Sequence, residues 1–168
     1  MKKTSNTLLS TLAIFILIVT NACDKLPKNG DLEGNWQLAE MTSADSDNQP
    51  ITEDVKHKKI FWVFQQDLLC IRYYNKAYFP FDANKEVHEQ PQDYSEFFGR
   101  FNHQSNTLDI PQLYVHDTRS TDKPLNTNSR LLKESGIIGN RETFRIEVLN
   151  KEQLILSSDK VRLVFRNF

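Results

Sequence analysis

Apolar and polar residues alternate with a period of two along most of the chain, which is typical of strands with one buried face. The alternation is clearest near the C-terminal end, where Phe144, Ile146 and Val148 are separated by polar residues. Short polar turns then separate this segment from two further strands, at 153–157 and 161–166. This end of the chain therefore predicts a three-stranded antiparallel meander.

Two hairpins and a first strand are predicted earlier in the chain. The first strand covers 35–42, and the hairpins comprise 59–65 with 68–74, around Gln66-Asp67, and 96–102 with 107–113, around 103–106. In the first hairpin, Phe61 and Val63 make the second face of a strand apolar as well. Apolar residues on both faces predict that this strand passes through the most crowded part of the core.

Two stretches interrupt the alternation. Residues 82–93 are polar and read as a loop, whereas 117–142 is long for a plain connection. Within it, Asn128 is a candidate cap for a short helix at 130–133, which Gly136 would end. About eight short antiparallel strands with little helix predict an all-β domain, either a closed barrel or a sandwich.

The N-terminal segment predicts export. A basic start, an apolar stretch at 8–19 and a small residue before Cys23 are the marks of a signal peptide, and the cysteine makes it resemble a bacterial lipoprotein signal. That resemblance implies a signal peptide at 1–22, an acylated Cys23 within a tether at 23–31, and a domain at 32–168. The alternative is an uncleaved spanning helix, which needs about 20 apolar residues. Acyl chains would anchor the protein to the cell envelope, at the outer membrane or cell surface rather than the inner membrane.

Charge and cysteine content narrow the possible partners. The chain has 21 Lys and Arg against 22 Asp and Glu, with no basic run, so no nucleic-acid partner is predicted. Acylation of Cys23 leaves Cys70 without a partner for a disulfide inside the chain. Cys70 lies in an apolar run and is predicted to be a small buried hydrophobe, because a reactive thiol needs groups that stabilise the thiolate.

No motif identifies a reaction, so the sequence predicts no catalytic residue, no metal site and no cofactor. The four histidines are widely spaced: His57, His88, His103 and His116. Two histidines brought together by loops, for haem or a metal, and a pair of carboxylates among the acidic residues of 82–96 remain as alternatives. An enzyme is accordingly the third hypothesis for this chain.

Gly34-Asn35-Trp36 at the head of the first strand, with an arginine near the end of the last, resembles the lipocalin-like barrels. The resemblance implies an antiparallel up-and-down barrel in which Trp36 covers the closed end and Arg166, or else Arg162, packs across its indole. Together with the lipoprotein signal, the chain is similar to lipocalin-like lipoproteins of unknown function common in Bacteroides-type bacteria. The alternative for Trp36 is a core residue of a β-sandwich.

Aromatic residues supply the functional prediction. Five of them lie within 73–81, and we expect Tyr73, Tyr78 and Phe97 to line the barrel mouth and bind a small apolar or amphipathic ligand without covalent chemistry. The alternative is that these rings only fill the barrel. A hypothesis of a different class is an accessory subunit of an envelope complex, which would contact its partner through 117–142.

Overall fold

A computed structural model describes residues 28–74, 96–116, 122–124, 130–139 and 141–168. These residues form one antiparallel sheet, a short α-helix, α1 (Arg130–Glu134), and two 3₁₀ turns, Gly30–Leu32 and Lys56–Lys58. The strands are β1 (Gly34–Ala44), β2 (Pro50–Asp54), β3 (Ile60–Gln65), β4 (Leu68–Tyr73), β5 (Glu96–Gln104), β6 (Thr107–His116), β7 (Asp122–Pro124), β8 (Glu142–Leu149), β9 (Gln153–Ser157) and β10 (Val161–Asn167).

Eight of these strands close into a barrel, as the sequence predicts. They follow the order β1-β3-β4-β5-β6-β8-β9-β10, and β10 pairs back onto β1, from Trp36 opposite Asn167 to Ser43 opposite Val161. Every strand pair of this ring lies within 34–167, so the barrel closes without help from the N-terminal segment. A closed sheet leaves no unpaired barrel edge.

The two remaining strands extend the ring at its edges. β2 pairs with β1 beyond the end of β3, and β7 pairs with β6 beyond the end of β8. Sequence alternation did not predict either strand. All five residues of β2 are exposed, so it has no buried face to produce an alternating pattern.

The barrel interior is filled by large side chains. Those almost completely buried include Trp36, Trp62, Phe64, Phe97, Phe144 and Phe165. Burial of each such side chain contributes about 1.5–3 kcal/mol to folding. The rings of Trp62 on β3 and Phe144 on β8 lie 5.9 Å apart between centroids, so side chains from opposite walls of the barrel meet in the middle.

Helix α1 and the residues after it cover one end of the barrel. The helix ends at Glu134, and Gly136, two residues later, has a φ of +89°, a left-handed conformation that favours glycine. Leu132 and Ile137 are buried against the core. The predicted helix with its glycine stop is therefore confirmed, while its predicted cap, Asn128, lies outside the described residues.

Candidate functional site

A row of paired residues crosses four neighbouring strands on the outer face of the barrel. Arg166 of β10 lies opposite Gln37 of β1, Gln37 opposite Phe61 of β3, and Phe61 opposite Arg72 of β4. Residues directly paired across an antiparallel sheet project from the same face. Their neighbours along each strand point into the core, so this row faces outward.

Three aromatic rings form the apolar part of a groove above this row. The ring of Phe61 makes edge contacts with Tyr74, at 5.2 Å between centroids, and with Phe168, at 5.0 Å. Backbone bonds fix both partners, since the Tyr74 amide donates to Lys59 O and the Phe168 amide donates to Asn35 O. We call this space the outer groove; its volume is about 500 Å³, and Asn35, Gln37, Lys56, Lys59, Phe61, Arg72, Tyr74, Arg166 and Phe168 line it.

The predicted crowding around β3 has a different cause. Ile60, Trp62 and Phe64 point into the core, but Phe61 lies on the outer face and is only 8 % exposed because Tyr74 and Phe168 cover it. The second apolar face of this strand therefore serves the outer groove and not the interior.

Gln37 holds one cation of the groove in place. Its side-chain oxygen accepts bonds from Arg166 Nε, at 2.7 Å, and Nη2, at 2.5 Å, while its Nε2 donates to Lys56 O at 3.1 Å. Gln37 is 4 % exposed. A buried amide with both ends bonded fixes its own orientation and that of the guanidinium.

The other cations of the groove differ in their partners. Arg72 Nε contacts Glu96 at 2.6 Å, and Lys56 Nζ contacts Asp54 at 2.9 Å. In the part of the chain that the structure describes, no carboxylate contacts Arg166 or the exposed Lys59 within ion-pair distance. The groove therefore combines an apolar wall with a local excess of positive charge.

Cys70 lies beside this site and is chemically quiet. The thiol of Cys70 donates to Glu96 Oε1 at 2.7 Å, and burial, followed by this carboxylate, raises its pKa to about 12. The bond from Cys70, followed by the bond from Arg72, holds the pKa of Glu96 below its usual value. Cys70 is on the outer face and only half-buried, so its predicted place in the core is wrong. Its thiol is protonated and is therefore a poor nucleophile, as the sequence predicts.

The residues predicted to close the barrel lie at its seam, but in a different arrangement. Gly34 begins β1 with a φ of +140°, and Trp36 is 1 % exposed with its Nε1 donating to Leu32 O at 2.8 Å. Arg166 pairs with Gln37, one residue after Trp36 and thus on the opposite face of the sheet. Its guanidinium therefore contacts the Gln37 amide instead of the indole, and the alternative Arg162 bonds to Glu147.

Two of the predicted ligand-lining residues are packed in the core. Tyr73 and Phe97 are 7 % and 0 % exposed, and their rings meet edge to face at 5.7 Å. Burial raises the pKa of the Tyr73 hydroxyl, and a bond with Ser135, in the segment after α1, opposes this shift. Tyr78 lies outside the described residues. That these residues line a ligand site at the barrel mouth stays a prediction, as does a partner contact through 117–142.

A second outer groove, of about 540 Å³, lies over β4, β5 and β6. Its rings, Phe98 and Tyr114, stack on each other at 6.3 Å between centroids. Arg100 and Asp122 supply charges of both signs. One basic and one acidic side chain therefore balance in the lining of this groove, whereas four basic side chains line the outer groove.

Neither a metal cluster nor a membrane-spanning helix is found in the described ranges. No group of three or more His, Cys, Asp or Glu side chains there could hold a metal ion. None of the helices in those ranges is long and apolar enough to cross a bilayer.

Sequence reasoning missed the outer groove because alternation assigns a face to each residue but does not align the strands. Arg166, Gln37, Phe61 and Arg72 become neighbours only through the strand register. One signal was available, since Phe61 is an aromatic residue on the outward face of a strand. Such a residue indicates that other side chains or a ligand pack over it.

Comparison with known proteins agrees with the topology. The family model described as a lipocalin-like domain matches residues 16–168. Among solved structures, a lipocalin-like protein from Bacteroides uniformis has 21 % sequence identity and a TM-score of 0.50, over 83 % of this chain and 100 % of that one. An uncharacterized protein from Bacteroides eggerthii has 18 % identity and a TM-score of 0.47, over 81 % and 98 %. Comparison with curated proteins gives no match. The chain belongs to the family of lipocalin-like domains.

Proposed function

We propose that this protein binds a small apolar or amphipathic molecule without covalent chemistry, and that the outer groove is its site. The observation that carries the proposal is an open space of about 500 Å³ walled by Phe61, Tyr74 and Phe168. Small-molecule sites are concave and mostly apolar, with volumes of about 300–1,000 Å³. The barrel interior, by contrast, is occupied by fully buried aromatic side chains.

Exposure of the groove residues supports the proposal. Among the described residues, four large hydrophobic side chains are exposed, and two of them are Tyr74 at 58 % and Phe168 at 73 %. Both lie in the same groove, so their apolar surfaces are contiguous. Contiguous exposed apolar surface on a soluble domain marks a binding site more often than single exposed residues do. A ligand lying against both rings would remove this surface from water.

The neutral fluorescent dye N-phenyl-1-naphthylamine tests the proposal on residues 28–168, which contain the whole closed barrel. We expect a saturable rise in fluorescence at one dye per chain. The double substitution Tyr74→Ser with Phe168→Ser should weaken binding about tenfold, because it removes two of the three aromatic walls. Ile51→Ser is the matched control, since Ile51 is 47 % exposed on β2, outside the groove. The proposal is wrong if the dye does not saturate, or if the double variant binds it like the wild type.

We further propose that the protein is held at the cell envelope by acyl chains on Cys23. The lipoprotein-like signal supports this, and so does the barrel, which closes without residues before 34. Each buried CH₂ contributes about 0.8 kcal/mol, so two or three chains hold a domain on a bilayer. Cys23→Ser should abolish palmitate labelling and release the protein from the membrane fraction. Cys70→Ser is the control and should keep both the palmitate label and the membrane attachment. Palmitate labelling of the Cys23→Ser variant would contradict the proposal.

A further inference from the structure

We infer that the molecule bound in the outer groove is an anion, with an acidic group facing the groove's cations and an apolar body against its aromatic rings. This inference rests on the proposed function and adds the charge of the ligand. It follows from the partners of the four basic side chains that line the groove, Arg166, Lys59, Lys56 and Arg72.

Arg166 is prepared to bind an acid. A guanidinium carries five N–H donors, and Arg166 gives only its Nε and one Nη2 donor to Gln37. No carboxylate of the described residues lies within ion-pair distance of the remaining donors. Gln37 neutralises no charge, yet it fixes the plane of the guanidinium, because its own amide is anchored to Lys56 O. A guanidinium held in one plane with free donors suits bidentate binding of a carboxylate, sulfonate or phosphate.

Lys59 adds a second charge without an acidic partner. It has a φ of +50°, and its backbone is held by bonds to Lys56 O and from the Tyr74 amide. These bonds fix Lys59 directly beside Tyr74, at the aromatic side of the groove. Its side chain forms no ion pair with any described residue.

Counting charges around the groove gives a local imbalance. Four basic side chains line it, against the side-chain carboxylates of Asp54, on Lys56, and Glu96, on Arg72. A terminal carboxylate on Phe168, which also lines the groove, would still leave four positive charges against three negative ones. The chain as a whole is almost neutral, with a formal net charge of −1. The positive excess is therefore a property of this site, and it favours an anion over a neutral or cationic molecule of the same shape.

Two dyes with the same ring body test this inference. The dye 1-anilinonaphthalene-8-sulfonate differs from N-phenyl-1-naphthylamine only in its sulfonate group. We expect residues 28–168 to bind the sulfonate dye about tenfold more tightly than the neutral dye at low ionic strength. Added salt should reduce this ratio, because exposed charges are screened.

Substitutions test which side chains cause the preference for the sulfonate dye over the neutral dye. Arg166→Gln and Lys59→Asn should each reduce the ratio of the two affinities about threefold to tenfold, and Arg166→Lys should restore part of it. Asparagine is chosen for Lys59 because it tolerates the left-handed backbone. Arg145→Gln and Lys133→Gln remove exposed charges outside the groove and should leave the ratio unchanged. The ratio is informative even if a variant weakens the groove as a whole.

The outcomes separate the inference from the proposed function. Equal affinity for the two dyes, or a ratio that does not change in Arg166→Gln and Lys59→Asn, overturns the inferred anion while ligand binding stands. Failure of the neutral and the sulfonate dye alike to bind overturns the proposed function itself. Displacement of the sulfonate dye by decanoate but not by decanol would support the inference for a carboxylate.

Discussion

Gly136 shows how one residue holds an end of the barrel. Its φ is +89°, and a Cβ atom placed on it would lie 2.5 Å from Leu163 Cδ2. The backbone after α1 therefore has no room for a side chain where it passes over β10. This contact brings Leu132 and Ile137 onto the core.

Gly136→Ala should destabilise the protein by about 2–5 kcal/mol, because left-handed strain of about 1–2 kcal/mol adds to an overpacking cost of about 1–3 kcal/mol. The measurement is urea unfolding. Gly30→Ala is the control, since Gly30 also has a positive φ, +58°, but open space around it. Equal losses in the two variants would show that packing against Leu163 contributes nothing.

Cys70 provides a second prediction at the level of one residue. With its pKa raised to about 12, the thiol stays protonated at pH 8, and thiolate is the reactive form. Alkylation of residues 28–168 by iodoacetamide should be slower, by about a hundredfold or more, than in the same protein unfolded in urea. Glu96→Ala should raise the rate in the folded protein only in part, because burial is the larger cause. An equal rate in the folded and unfolded protein would contradict this environment.

At the scale of elements, strand existence was predictable wherever one face of a strand is buried. The eight predicted strands, β1, β3 to β6 and β8 to β10, appear within a few residues of their predicted bounds. The hairpin turn predicted at 103–106 shortens to Ser105 and Asn106, because His103 and Gln104 continue the pairing with β6. β2 was missed because polar strands with both faces exposed carry no periodic signal.

The seam between β1 and β10 depends on the buried amide of Gln37. Gln37→Ala leaves Arg166 without its partner and removes one of the two hydrogen bonds to the Lys56 carbonyl, so we expect a loss of about 1–3 kcal/mol in urea unfolding. Thr42→Ala, on the same strand, removes an exposed hydroxyl pair with Thr52 and should cost about 0.5 kcal/mol or less. The interpretation fails if the two substitutions have similar effects.

For the whole molecule, the sequence was sufficient to predict an eight-stranded barrel but not its outer groove. Alternation, turn chemistry and the motif at Gly34 and Trp36 all depend on local sequence. The groove depends on which residues of four strands fall into one row, and the register that decides this is a long-range property. The predicted contact between Arg166 and the Trp36 indole was wrong for the same reason. The strand register pairs Arg166 with Gln37, one residue further along β1, and consecutive residues of a strand point to opposite faces.

Stability should fall in acid, because the partly exposed carboxylates of Asp109 and Glu147 have lowered pKa values in the folded state. The hydrogen bond from Arg141 holds the pKa of Asp109 below its usual value, and bonds from Ser157 and then Arg162 do the same for the pKa of Glu147. A carboxylate whose pKa is lower in the folded than in the unfolded state stabilises the fold fully at pH values above its unfolded pKa. This stabilisation is lost as the pH falls through the pKa of the folded state. The urea midpoint should therefore decrease from about pH 5 to about pH 2.

Asp109→Asn checks the sign of this effect. It should lower the midpoint at neutral pH and make the acid dependence shallower, since the contact with Arg141, at 2.8 Å, is lost at every pH. Asp159→Asn, in an exposed turn, is the control and should keep the wild-type dependence. An unchanged slope in Asp109→Asn would contradict the assignment.

Backbone NMR of residues 28–168 during titration with 1-anilinonaphthalene-8-sulfonate tests the central claim most directly, because it locates the ligand without relying on any substitution. We predict saturable shifts concentrated at the amides of Phe61, Tyr74, Arg166 and Phe168. Shifts concentrated instead at Tyr73, Phe97 and the segment after α1 would place the ligand at the barrel mouth and contradict the outer groove as the site.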